Sequence, residues 1–140
     1  MTEIEEFGII EDIRQLKARY FRFTDTKDWS ALAEVFCRDA VLGDDTVSVE
    51  GRAAVVDIIE QGTAGVTTVH HGHCHEVWVD SPDAARGIIA FEDLGFSKRT
   101  GEIVMHGYGH YHETYRREDG AWRILESRIP RMAVVDRKPR

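Results

Sequence analysis

The sequence predicts an α+β fold, with three N-terminal helices packed in a cone against a strongly curved, mainly antiparallel sheet. Two observations carry this expectation. Up to about Thr67, apolar residues recur at three- and four-residue steps, the spacing of helices buried on one face. Beyond Thr67, β-branched and aromatic residues dominate between regularly spaced turn signals. Helices first and antiparallel strands second is the order that gathers helices on one face of a sheet.

The first helix runs from Ile9 to about Phe23, where Ile9, Ile13, Leu16, Tyr20 and Phe23 form one apolar stripe. Asp28 then serves as an N-cap for a second helix, in which Trp29, Leu32, Ala33 and Phe36 keep helical spacing before Asp39. Ala40 to Glu50 reads as a small hairpin broken at Gly43, Asp44 and Asp45. Gly51 opens a third helix carrying Ala54, Val55, Ile58 and Ile59, which stops between Gly62 and Gly65. Turns at Asp80–Asp83, Lys98–Gly101 and Arg117–Gly120 then delimit four long strands.

At 140 residues the whole chain, 1–140, is the size of one domain, with a core spanning about 9–131 and a basic C-terminal tail at 132–140. Hydrophobic residues at 42% and charged residues at 31% are globular proportions and exclude a disordered or fibrous chain. The net charge of −7 repels phosphate backbones, so no nucleic acid partner is expected, and Arg137, Lys138 and Arg140 read as a solvated tail. No apolar run is long enough to span a membrane, and Glu3, Glu5 and Glu6 stand where a signal peptide needs basic then apolar residues. A cytoplasmic protein is the expectation. Cys37 and Cys74 form no CxxC pair and read as buried thiols in a reducing compartment.

All seven histidines fall in two segments, VHHGHCHEV and MHGYGHYHE. Strand alternation places His71, His73 and His75 on one face and His70 with Cys74 on the other. His-x-His on a strand can present two imidazoles to a metal, with His110 or His112 added from a neighbour. The plainer reading is a polar sheet face or an oligomer contact. Neither accounts for His70. In RYFRFTDTKDW, Asp25 sits near the end of the first helix, where a solvated acid is the ordinary reading. Turned inward onto His70, it would accept the Nδ1 proton and make Nε2 a general base.

Three segments, RYFRFTDTKDWSALAEVFCRDA, TVHHGHCHEVWVDSPDAARGIIAFED and GYGHYHETYRREDGAWRI, resemble the SnoaL-like group of the nuclear transport factor 2-like superfamily. The resemblance spans roughly Ile9 to Arg131 and implies a cystatin-like α+β barrel around a pocket. That superfamily includes scytalone dehydratase, bile acid 7α-dehydratase, a hexachlorocyclohexane dehydrochlorinase, polyketide cyclases and limonene epoxide hydrolase. In its dehydratase and dehydrochlorinase branch, an Asp ending the first helix and a His opening the first long strand form a catalytic dyad. Asp25 and His70 match those positions, and Tyr20 matches a Tyr that polarises the substrate carbonyl or places a leaving hydroxyl.

The same resemblance puts Phe91, Asp93 and Tyr111 on the pocket wall, with Trp29 beside it and His73 at a polar entrance. His106, His110 and His112 would then face a partner subunit. Where the eliminating enzymes carry an Arg on the last strand, direct alignment gives Ser127, with Arg128 one step away and Arg131 four beyond. The implied activity is that of a cofactor-independent lyase or isomerase, without metal, acting on a small hydrophobic, aromatic or cyclic molecule. A homodimer or homotrimer is implied as well. Three alternatives stay open: a polyketide-type cyclase, an epoxide hydrolase, and a non-catalytic ligand-binding or assembly module.

Overall fold

The computed structural model describes residues 1–44 and 46–136. Asp45 in the expected hairpin turn, and Arg137, Lys138 and Arg140 in the expected tail, lie outside the described residues. Helix α1 spans Glu3–Asp25 and begins earlier than the apolar stripe because a capping box starts it. The Thr2 hydroxyl accepts from the Glu5 N–H at 3.2 Å, and the Glu5 carboxylate accepts from the Thr2 N–H at 2.7 Å. Helix α2 covers only Trp29–Ala33, capped by the Asp28 side chain accepting from Ala31 N–H at 3.2 Å. The expected second turn is absent because the Val35 carbonyl accepts from Ile124 N–H at 2.9 Å, which draws Phe36 into a strand. Helix α3 spans Arg52–Gly62.

The strands are β1 (Phe36–Gly43), β2 (Ser48–Glu50), β3 (Val66–Ser81), β4 (Ala84–Ser97), β5 (Ile103–Glu118), β6 (Ala121–Arg128) and β7 (Arg131–Asp136). They lie in one sheet of order β2-β1-β6-β5-β4-β3, and β7 pairs with β5. The α+β class, the three helices and the mainly antiparallel pairing stand, but the expected strongly curved, barrel-like sheet does not. The sheet is mixed, because β1 runs parallel to β6, and it is open, because its edge strands β2 and β3 do not pair with each other. Sequence alternation reports which face a residue takes, not whether the sheet closes. Residues 132–136, expected in the tail, belong to β7, where Met132-Ala-Val-Val supplies a β-type run against Met105–Gly109.

The helices cover one face of the sheet, with α1 packed along β3. Ile13, Leu16, Leu32, Phe36, Ile89 and Ile124 make the dry centre of the core, each at most 2% exposed. Gly72 on β3 lets α1 approach, since a Cβ there would lie 2.5 Å from the Phe21 ring. A bulge at Cys74, whose φ is +32°, shifts the β3–β4 register between His73 and His75. Consequently His75 leaves the face of His71 and His73 and turns inward, contrary to simple alternation, while Cys74 is exposed rather than buried.

Candidate active site

The end of α1 and the start of β3 bring together an acid and an imidazole. Asp25 Oδ1 lies 2.5 Å from His70 Nδ1, and Asp25 Oδ2 accepts the His70 backbone N–H at 3.0 Å. The Thr68 hydroxyl donates to Oδ1 at 2.9 Å. Burial pushes the Asp25 carboxyl up, yet these bonds from His70 and Thr68 outweigh it and hold the group below the usual carboxylate range. With Nδ1 occupied, His70 has Nε2 free, 4.0 Å from Asp93 Oδ2.

Asp93, on β4, is itself gripped by Arg131 at the start of β7, with Arg131 Nη1 3.1 Å from both carboxylate oxygens. The guanidinium also lies over Phe91, 5.3 Å from the ring centre. Gly107 on β5 makes this pair possible, because a Cβ at that position would occupy the space of the Asp93 and Arg131 side-chain tips.

A cavity of about 270 Å³ opens beside this cluster. Tyr20, Thr68, His70, Asp93, Tyr111 and Arg131 supply its polar wall, whereas Leu42, Ile58, Ile59, Val66, Met105 and Ile129 supply apolar ones. Burial, with the charge of Glu113 added, pushes the Tyr20 phenol well above its ordinary value, so it stays a neutral donor. Tyr111 is raised in the same way, first by burial.

Under the two tyrosines lies a second polar cluster that sequence reasoning did not single out. Lys17 and Glu113 form a fully buried ion pair at 2.6 Å. Glu113 also accepts from the Ser127 hydroxyl at 2.8 Å and from Tyr115 at 2.7 Å. The Lys17 ammonium sits 3.4 Å from the ring centre of Tyr111 and 3.8 Å from that of Tyr20. Burial pulls the Lys17 pKa down, and Glu113 opposes that only in part. The signal was present in the helical period: Lys17 stands four residues after Ile13 and three before Tyr20, inside the buried stripe.

The structure therefore gathers Asp25, His70, Tyr20, Asp93, Tyr111 and Arg131 at one place. Phe91 is buried behind Arg131, Trp29 packs on the core edge, and Ser127 belongs to the Glu113 cluster; none of them lines the cavity. His73 is exposed on the opposite sheet face, which corrects the expected polar entrance. Arg128 also points outward, bonded to Glu126 at 2.7 Å, so Arg131 is the last-strand cation that reaches the cavity. Gly107, Gly109, Tyr111 and Glu113 are buried in alternation with His106, Tyr108, His110 and His112 on β5. Among the described residues, the one group of three metal-type ligands within 4.8 Å is Cys37, Asp39 and Glu118, and it contains no histidine. Burial raises the Cys37 thiol, and both carboxylates already face Arg116.

A fold of helices over one face of a mixed sheet, with an Asp–His pair at a cavity, defines a class to which the chain can be assigned. Residues 5–128 match the model of the SnoaL-like domain, and the chain belongs to that family. Its fold is similar to a protein from Novosphingobium aromaticivorans described as a candidate scytalone dehydratase, at 18% identity and a TM-score of 0.89, over 99% of this chain and 94% of that one. A hexachlorocyclohexane dehydrochlorinase from Novosphingobium barchaimii superposes at 16% identity and a TM-score of 0.82, over 96% of this chain and 94% of the other. A function-unknown protein from Mycobacterium tuberculosis is 27% identical with a TM-score of 0.81, over 94% of this chain and 76% of that one.

Proposed function

We propose that the cavity takes a small cyclic, largely apolar molecule and that the protein is a cofactor-independent lyase or isomerase. The observation that supports this reading best is the 2.5 Å contact from Asp25 to His70 Nδ1, which leaves Nε2 for a substrate proton at the wall of the cavity. His70 Nε2 removes a proton from carbon beside an oxygen-bearing centre, and the released electron pair forms the new double bond. In an elimination, the leaving group departs from the adjacent carbon. In an isomerisation, the imidazolium returns the proton elsewhere. Asp25 fixes the tautomer and stabilises the imidazolium, while Tyr20, kept neutral by burial, donates to the substrate oxygen.

General-base catalysis of this kind supplies on the order of two to four powers of ten, so the apolar walls must add positioning and exclusion of water. Calorimetric titration with cyclohexanone, cyclohex-2-enone and cyclic alcohols tests the reading. Binding of at least one, with the affinity lowered about tenfold in Tyr20→Phe by loss of a hydrogen bond to ligand oxygen, is the expected result. No binding by any member of the panel contradicts it.

A further inference from the structure

The turn that ends α1 places a cation where its backbone geometry calls for glycine. Asp28 N–H bonds the Phe23 carbonyl at 2.9 Å and Lys27 N–H the Thr24 carbonyl at 3.2 Å, a pattern that forces the residue after the cap into the left-handed region. That residue is Lys27, with φ +59°. Glycine takes this conformation freely, whereas a lysine side chain is strained there, and strained residues concentrate at functional sites.

The ammonium of that side chain lies beside two residues of the cavity wall. Lys27 Nζ lies 3.4 Å from the Thr68 hydroxyl and 3.5 Å from the Thr63 carbonyl, and both residues line the cavity rim. Thr68 is the same residue that donates to Asp25. The Lys98 backbone N–H bonds the Gly65 carbonyl at 3.0 Å, next in the chain to the wall residue Val66, and the charge of Lys98 acts on Lys27. Among the described residues, neither lysine forms an ion pair, although the chain carries a net charge of −7. Nearby charges are already engaged: Asp25 with His70 and Thr68, Arg131 with Asp93. Partial burial and the like charge of Lys98 lower the Lys27 pKa and outweigh the attraction of the Asp25 carboxylate.

We propose that Lys27, backed by Lys98, is an anion clamp at the cavity rim, and that the substrate is a cyclic molecule bearing a carboxylate or phosphate group. The inference rests on the reading of the cavity as a substrate pocket. The apolar walls hold the ring, and the anionic group reaches the rim beside Thr63 and Thr68. Arg131 is neutralised by Asp93, so the spare positive charge comes from the two lysines.

The test is calorimetry on the full chain with cyclohexanecarboxylate, cyclohexyl phosphate and cyclohexanone, in wild type, Lys27→Gly and Lys98→Met. One of the anions should bind at least tenfold more tightly than the ketone, displace it, and lose that advantage as salt rises. Lys27→Gly should erase the preference while leaving ketone binding intact and the melting temperature unchanged or higher, because glycine relieves the backbone strain. Lys98→Met should weaken anion binding about threefold, as a more distant charge. The tighter anion identifies the substrate group as carboxylate or phosphate. Equal binding of anions and ketone, or a preference that survives Lys27→Gly, overturns the clamp and leaves the pocket reading standing. No binding of any of the three overturns both.

Discussion

Two polar clusters lie side by side under α1, one buried and one half-buried, and they are built to opposite ends. In the deeper one, Glu113 accepts from Lys17, Ser127 and Tyr115, and the ammonium is flanked by two aromatic rings, so both charges are matched and dry. In the one at the cavity, Asp25 is matched but His70 has Nε2 at an open wall with Asp93 4.0 Å away. A closed network specifies packing, whereas an open one leaves a basic nitrogen for a ligand proton. The two clusters thus differ in how far their bonding is finished, not in residue type.

The largest expected effect comes from opening the closed cluster. Lys17→Met leaves a buried carboxylate without its cation and should cost about 3–5 kcal/mol, seen in urea unfolding. Lys17→Met combined with Glu113→Gln removes the buried charge, keeps a carbonyl acceptor for one of the Ser127 and Tyr115 hydroxyls and offers an N–H to the oxygen of the other, and should recover most of that loss. A double variant as unstable as the single one would show that Lys17 acts through packing alone.

A smaller effect is expected at the open cluster, because Asp25 is partly solvated. Asp25→Asn should cost about 1 kcal/mol at neutral pH, the ordinary worth of an exchanged hydrogen bond. Its pH dependence follows from the direction of the shift. The folded pKa lies below the unfolded value of about 3.9, so the contribution is complete above that value and fades as pH falls through the folded pKa. Wild type and Asp25→Asn should therefore converge in stability in acid. Lys17 acts at the other end of the scale. Between its lowered folded pKa and the unfolded value of about 10.4, the unfolded chain holds more protons, so this group makes stability rise with pH. Loss of that alkaline slope in Lys17→Met combined with Glu113→Gln is the smallest of these effects, and its persistence would assign the slope to other groups.

The helices and long strands were legible because burial imposes a period of 3.6 or 2, and the stripe from Ile9 to Tyr20 shows it plainly. Tyr20, Asp25 and His70 became candidates only through the resemblance, since Asp25 alone reads as an ordinary helix-end acid. What escaped was set by events that periodicity does not encode. The bulge at Cys74 moved His75 to the inner face, the parallel pairing of β1 with β6 made the sheet mixed, and β7 took residues read as tail. Ser127, Arg128 and Arg131 all competed in the sequence for the place of a last-strand Arg at the pocket, and Ser127 bonds Glu113 instead. Lys17 was overlooked because a charged residue in an apolar stripe is taken for solvated unless its partner, here on β5 and far along the chain, is known.

The most direct test of the central claim is hydrogen–deuterium exchange at the carbon beside the carbonyl of cyclohexanone in heavy water, followed by NMR in wild type, His70→Gln and Asp25→Asn. A general base at His70 predicts exchange above the buffer rate by about a hundredfold or more in wild type, background exchange in His70→Gln, and an intermediate rate in Asp25→Asn. Exchange at the buffer rate in wild type, or undiminished exchange in His70→Gln, would contradict it.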